Sequence, residues 1–263
     1  MNKIAVIIPI MGARQTLAPL LKNLNSHGQD VTVFLVDDFE DENSLLHSEH
    51  AHPNTKFYPV PANANHSLID RANLGFYNAI IHNFTFFVFC RSDILPFPDC
   101  LYELWKGEFQ SPFQILTAHK VMFGMSQVKP SYLRHIERPL KYPNLNCFIT
   151  CAALLGTIGG LDRHYHNINV ALCDWFTRAW LSNLYTATYP TARIAIPNKT
   201  SSERMFTGAH HPKRSADDLR YFVRKWGHDP VFKSGKSLDP FFKRPFADTH
   251  TSLFLPFTHQ VQF

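Results

Sequence analysis

No apolar run in this chain of 263 residues approaches the roughly 20 residues that cross a bilayer, so a membrane-spanning helix is not expected. The five cysteines, Cys90, Cys100, Cys147, Cys151 and Cys173, are odd in number and include no CxxC pair. That argues against a disulfide framework or a zinc site, and for buried free thiols. Gly12 stands alone after the first strand-like run, which removes both the dinucleotide fingerprint and the phosphate-binding P-loop. A nicotinamide dehydrogenase and an ATPase lose their main signature with it. No Lys/Arg run points to nucleic acid, and no internal repeat or low-complexity segment occurs. The opening MNKIAVIIPI has one lysine, then a strand-like run containing Pro9, and no small-residue cleavage site. A cytoplasmic location is therefore expected.

What is present fits a packed globule. Hydrophobic residues make up 45% of the chain and phenylalanine alone contributes 23, enough for one large domain with a full core. The formal net charge of +5, with 15 histidines besides, gives a mild attraction to anions such as nucleotide phosphates or acidic lipids. His164 with His166, and His210 with His211, read either as metal ligands or as surface imidazoles, with the weight on the second.

The organising stretch is FVFCRSDILPFPD, residues 87–99, where a buried apolar strand runs into a short polar turn carrying Asp93. In an open α/β sheet that strand edge is where ligands bind. A carboxylate there either holds a divalent cation or serves as a turn residue. Upstream, residues 4–10 form a β-rich run, Leu17, Leu20, Leu21 and Leu24 recur at helical spacing, and residues 31–36 form a second strand ending at Asp37 and Asp38. A strand-helix-strand unit has a right-handed crossover, so the two strands are expected to be parallel. Asp37 and Asp38 then share the sheet edge with Asp93, as acceptors for a base or ribose or as a capped turn. A short strand near residues 56–60 precedes a helix whose apolar face is Ile69, Ala72, Phe76, Ala79 and Ile80, with Ser67 as N-cap, Asn83 as stop, and Arg71 and Asn73 on its polar side. A further helix carries Leu101, Leu104 and Trp105.

IAVIIPI, VTVFLVDD, the RANLG of residues 71–75 and FCRSDILPFPDCLYEL together resemble the nucleotide-binding half of family 2 glycosyltransferases of the GT-A fold, inverting and of the bacterial polysaccharide type. The resemblance implies a GT-A-like, Rossmann-type mixed sheet flanked by helices, a nucleotide-diphospho-sugar donor, and Mn²⁺ or Mg²⁺. It places Pro9, Asp37, Asp38, Arg71, Asn73, Arg91 and Ser92 around the nucleotide, and makes Asp93 the metal ligand of a DxD-type element. The first acid of that element is Arg91 here, which removes one carboxylate and sets a cation beside the diphosphate position. Asp93 follows the pattern of family members that keep only the last acid. The resemblance also aligns His211, or His210, with a downstream histidine near the diphosphate, and implies His211 as a second metal ligand.

CFITCAALLGTIGGLDRHYHN, residues 147–167, resembles the family's acceptor segment, with Gly159, Gly160, Leu161 and Asp162 in place of Gly-Gly-Phe-Asp. ALCDWFTRAW follows, and the resemblance implies Asp174 as general base beside Trp175, so that Gly160, Asp162 and Trp175 face the acceptor. A register set by Arg178 instead aligns Asp174 with the acid two residues further on. From the residues alone, Asp174 also reads as the N-cap of a helix over 175–184. The mixed segment 114–142 offers His119, Met122, Met125 and Arg134 to the acceptor side without a clear structure.

The expected organisation is a glycosyltransferase domain over 1–207, with 1–110 for the nucleotide sugar and 111–207 for the acceptor, and a C-terminal helical and irregular arm over 208–263. DDLRYFVRKWGHDP in that arm reads as an amphipathic helix ending at Gly227. The arm either packs on the core or touches anionic lipid through Arg220, Arg224, Lys225, Lys243 and Arg244, as a peripheral membrane contact suited to a lipid-linked glycan acceptor. The expected activity is transfer of a hexose or deoxyhexose in surface polysaccharide synthesis. The other classes in view are a nucleotidyltransferase, an impaired nucleotide-sugar-binding module and a plain interaction protein.

Overall fold

The computed structural model describes residues 3–11, 17–24, 30–37, 56–62, 65–110, 115–121, 145–182, 184, 186–195 and 212–227. Strand β1 (Lys3–Pro9), helix α1 (Leu17–Lys22) and strand β2 (Asp30–Asp37) form the expected crossover unit, and β1 and β2 pair in parallel from Lys3↔Asp30 to Pro9↔Val36. Strand β3 (Lys56–Pro61) adds in parallel to β2, and helix α2 (Leu68–Ile81) then carries the chain back to β4 (Phe86–Cys90), parallel to β1 on its other side. The strand order thus reverses between β1 and β4.

Beyond β4 lie β5 (Leu95–Pro96), helix α3 (Cys100–Gln110) and strand β6 (Ile115–Val121). Strand β7 (Cys147–Cys151) follows, then helices α4 (Ala152–Ile158) and α5 (Ile168–Leu181), strand β8 (Thr186–Ala195) and helix α6 (Pro212–Trp226). One mixed sheet of 8 strands results, in the order β3-β2-β1-β4-β7-β6-β8-β5, with β7 antiparallel to both β4 and β6. β6 and β8, a parallel pair with a bulge between Ala118 and His119, are strands the sequence pattern did not reveal. No helix among the described residues is long and apolar enough to cross a membrane.

Side-chain alternation divides two cores. Ala5, Ile7, Phe34, Val36, Phe87, Phe89 and Phe148 point to α2, α5 and α6, whereas Ile4, Val6, Ile8, Val33, Val88, Cys90 and Ile149 point to α1 and α3. Both faces are covered, so the central strands read as continuous apolar runs rather than alternating ones. Four rings join the halves: Phe76 of α2 stacks on Phe89 at 6.3 Å, Phe89 on Phe148 at 5.2 Å, and Phe148 on Trp175 of α5 at 5.3 Å. Such pairs add about 0.5–1.5 kcal/mol each beyond their burial.

Local chemistry starts and spaces α2. Ser67 accepts from Asp70 N at 3.1 Å while Asp70 Oδ2 accepts from Ser67 N at 3.0 Å, a reciprocal capping box. Gly75 then lets the helix approach the sheet, since a Cβ there would overlap Ile7 Cγ2 and stand 3.0 Å from Val36 Cγ2. Asn83, the expected stop, takes a left-handed φ of 58° just past the C-cap His82.

The second half departs from its reading at one helix. Asp174 is not an N-cap: α5 begins at Ile168 and is capped by Asn167, whose side chain accepts from Asn169 N at 2.9 Å. Asp174 therefore lies inside the helix. All five cysteines are free, four of them buried, as their spacing implied.

Candidate functional site

The strand order reverses between β1 and β4, and the carboxyl edge at such a reversal, here the ends of β1, β2 and β4, is the general ligand position of open α/β sheets. Arg71, from the first turn of α2, crosses to it. Its Nη1 donates to Ile10 O at 2.7 Å and to Asp37 Oδ1 at 3.1 Å, and its Nε donates to His66 O at 3.3 Å. Arg71 and Asp37 are both 3% exposed at the side chain, so this ion pair ties α2 to the ends of β1 and β2 as part of the wall. Pro9 ends β1 beside it.

The turn after β4 holds the second pair. Arg91 Nε donates to Asp93 Oδ1 at 2.8 Å and Nη2 to Asp93 Oδ2 at 2.5 Å, a bidentate arrangement in which both carboxylate oxygens are engaged. Arg91 Nη1 donates to Asn146 Oδ1 at 3.1 Å, before β7, and to Asn169 Oδ1 at 3.0 Å, on α5. Ser92 is buried between the pair. A Mg²⁺ or Mn²⁺ ion needs several hard oxygen ligands, preferably anionic. Here the expected ligand Asp93 is a single carboxylate already neutralised by Arg91, and no group of three His, Cys, Asp or Glu that could hold a metal occurs among the described residues. The described residues at this turn do not by themselves fit the cation that the resemblance implied.

The acceptor segment is held from within. Asn73 clamps Leu161 by both backbone groups, Nδ2 donating to Leu161 O at 2.8 Å and Oδ1 accepting from Leu161 N at 2.7 Å. Trp175 Nε1 donates to Gly159 O at 3.0 Å, and Arg178 donates to Gly160 O at 2.6 Å and to Ile158 O. Asn73 and Trp175, expected to line ligands, both bind the backbone of this loop. The Gly160 carbonyl is held by the buried Arg178.

Asp174 lies at 0% exposure beneath α6. Its Oδ1 accepts from Lys225 Nζ at 2.6 Å, Trp226 Nε1 at 2.8 Å and Tyr165 OH at 3.2 Å, and its Oδ2 accepts from Arg178 Nε at 3.0 Å. Lys225 also reaches Asp162 Oδ2 at 2.8 Å, so two carboxylates face two cations in one enclosed network. Burial acts to raise the Asp162 pKa, but the Lys225 charge and hydrogen bond, with donors from His164, hold it well below the usual carboxylate range. Burial first, then the Asp174 charge, pushes the Tyr165 hydroxyl far above its ordinary value, so it stays a donor. In this arrangement Asp174 presents no oxygen to an acceptor.

Helix α6 closes this region. Asp218 accepts from Asn167 N at 2.6 Å and from His166 N at 2.9 Å at the start of α5, and Phe222 is buried in the core. The described part of the expected arm is therefore packed, while its outward face carries Arg220, Val223 and Arg224. His164 and His166 are exposed and each sits on a carboxylate, Asp162 and Asp218. His119 lies on β6, with Arg193 as its partner in register. Asp38, Met122, Met125, Arg134, His210 and His211 lie outside the described residues.

Two site residues escaped the sequence reading, Asn146 and Asn169. Neither belongs to a spacing pattern; they meet at Arg91 only through the fold, across 55 and 78 residues.

No protein-family model and no curated protein matches the chain. Among solved structures, S. aureus TarS 1–349 in complex with UDP-GlcNAc is similar with a TM-score of 0.57 at 12% identity, over 88% of this chain and 68% of that one. Glucosyl-3-phosphoglycerate synthase from Mycobacterium tuberculosis, in complex with phosphoglyceric acid, gives 0.54 at 16% identity, over 89% and 82% of the two chains. Mannosyltransferase PcManGT from Pyrobaculum calidifontis, in complex with GDP-Man and Mn²⁺, gives 0.57 at 15% identity, over 91% and 67%. The chain spans 41% of the length of the longer TarS chain. The architecture held in common is an α/β mixed sheet of the GT-A glycosyltransferase type.

Proposed function

We propose that the chain is a glycosyltransferase of the family 2 kind that moves a hexose or deoxyhexose from a nucleotide-diphospho-sugar to a glycan or lipid-linked glycan acceptor. The carrying observation is the sheet edge at the strand-order reversal, where the Arg71–Asp37 and Arg91–Asp93 pairs stand at the carboxyl ends of three parallel strands. Similarity to structures holding UDP-GlcNAc, UDP and GDP-Man supports a nucleotide sugar as the donor. In this reading residues 1–110 bind the donor and 111–207 meet the acceptor. The net charge of +5 and the outward Arg220 and Arg224 suit an acceptor presented on an anionic surface.

Inversion requires a base for the acceptor hydroxyl. Asp174 is the candidate from sequence, and it could serve only after α6 withdraws from it. The neutralised Asp93 favours a second reading, a nucleotide-sugar-binding protein without turnover.

Thermal unfolding in the presence of UDP, GDP, dTDP and CMP tests the first step, because a ligand specific to the folded state raises its stability by mass action. One nucleotide is expected to raise the transition, and its sugar conjugate to be consumed with release of that nucleotide. If none of the four shifts the transition, nucleotide recognition fails and the interaction-protein class takes its place. A shift without release selects the binding protein.

A further inference from the structure

The turn after β4 is built as a closed ion pair where a metal-binding pair of acids would stand. Arg91 and Asp93 are 7% and 4% exposed at the side chain and are joined by two parallel hydrogen bonds, so together they carry no net charge. Releasing Asp93 for a cation would require Arg91 to swing away. That motion also breaks the bonds from Nη1 to Asn146 and Asn169. A guanidinium left beside the incoming cation would repel it.

Asn169 has a different position from the other partners. Its Oδ1 accepts from Arg91, which fixes the orientation of the amide, and its Nδ2 has no hydrogen-bond partner among the described residues. It is half-buried at the start of α5, directly beside the strand-end turn. An oriented amide donor at this edge matches a phosphate or sugar oxygen, which accepts hydrogen bonds.

We propose that this site binds a nucleoside diphosphate group without a divalent cation, with the Arg91–Asp93 pair filling the metal's place and Asn169 Nδ2 donating to a ligand oxygen. The inference rests on the nucleotide-sugar reading and sharpens it. The ligand's charge is met by N–H donors and by the field of a chain of net charge +5 rather than by a bound metal.

Calorimetric titration of UDP and of GDP into the full chain, once in EDTA and once in Mn²⁺, tests it. One nucleotide is expected to bind in EDTA, with a Kd that Mn²⁺ changes by less than about threefold, a small effect against the tenfold steps of binding energetics. Asn169→Ala is expected to weaken that binding by about tenfold, the scale of a hydrogen bond to a charged group, with only a small fall in Tm, because Arg91 loses one acceptor but keeps Asp93 and Asn146. Arg91→Asp, which sets two carboxylates two residues apart, is expected to make binding depend on Mn²⁺. Binding of the unaltered chain in Mn²⁺ alone overturns the inference and leaves the nucleotide-sugar reading standing. Absence of binding in both buffers overturns the two together. Full affinity in Asn169→Ala overturns the role of that amide, whatever Arg91→Asp does to folding.

Discussion

Asp174→Asn separates a structural anchor from a catalytic base. The change is isosteric and removes one negative charge from a network in which Asp162 and Asp174 offset Arg178 and Lys225. Arg178 and Lys225 are each 2% exposed at the side chain, so the variant leaves an uncompensated positive charge away from water. Breaking a buried pair in this way costs about 3–5 kcal/mol. At about 2–4 °C per kcal/mol for a domain of this size, Tm should fall by roughly 6–20 °C. The assay is thermal unfolding of both proteins near neutral pH, with nucleotide affinity measured in parallel well below the transition. Affinity is expected to hold, because Asp174 touches neither the Arg71–Asp37 wall nor the Arg91 turn. Adding Lys225→Met should recover part of the lost stability by rebalancing the charge, and a double-mutant cycle measures that coupling. The reasoning is refuted if Tm is unchanged within about a degree while turnover falls by roughly 10²- to 10⁴-fold, the signature of a lost general base.

Asn73→Ala should cost about 2–4 kcal/mol in urea unfolding, because Leu161 N and O both lose their buried partner; a loss of nucleotide affinity with intact stability would restore Asn73 to the ligand pocket. Burial pushes the Glu108 carboxyl up to about 7, and its Oε2 has no hydrogen-bond partner among the described residues. The folded state therefore holds its proton between about pH 4 and 7, so stability declines as pH rises through that window and the penalty persists above it. Glu108→Gln should gain on the order of 2 kcal/mol at pH 8 and almost nothing at pH 4, and an equal gain at both would contradict the linkage.

How far the sequence spoke depended on whether the partners of a segment were local. β1 and β2 were legible because strands covered on both faces become apolar runs, and α2 because Ser67, the apolar spacing up to Ile80 and Asn83 all lie within one segment. β8 was not, since TATYPTARIA contains a proline and alternates weakly, and its parallel partner β6 lies some 70 residues earlier. Asp37 and Asp93 lie at the strand ends where the sequence pattern put them, but their pairing with Arg71 and Arg91 was not read. Asp174 and Trp175 were read as facing an acceptor because a helical position alone does not tell which face is covered by a helix 50 residues later.

Each of the four buried acids that the sequence offered to chemistry has its own cation in this fold. Arg91 and Arg178 are neighbours in sequence to Asp93 and Asp174, whereas Arg71 lies 34 residues from Asp37 and Lys225 lies 63 residues from Asp162. Removing any one acid leaves one buried positive charge uncompensated, with Asp174 alone facing Arg178 and Lys225 when Asp162 is lost, so alanine substitution at these positions would lower activity through stability whether or not the acid touches substrate. Loss of turnover is therefore a weak criterion at all four. The decisive variants are those whose loss of nucleotide affinity exceeds what their change in Tm explains, and by position Asn169 is the first of them: its oxygen is held by Arg91, and its nitrogen is a donor with no hydrogen-bond partner among the described residues.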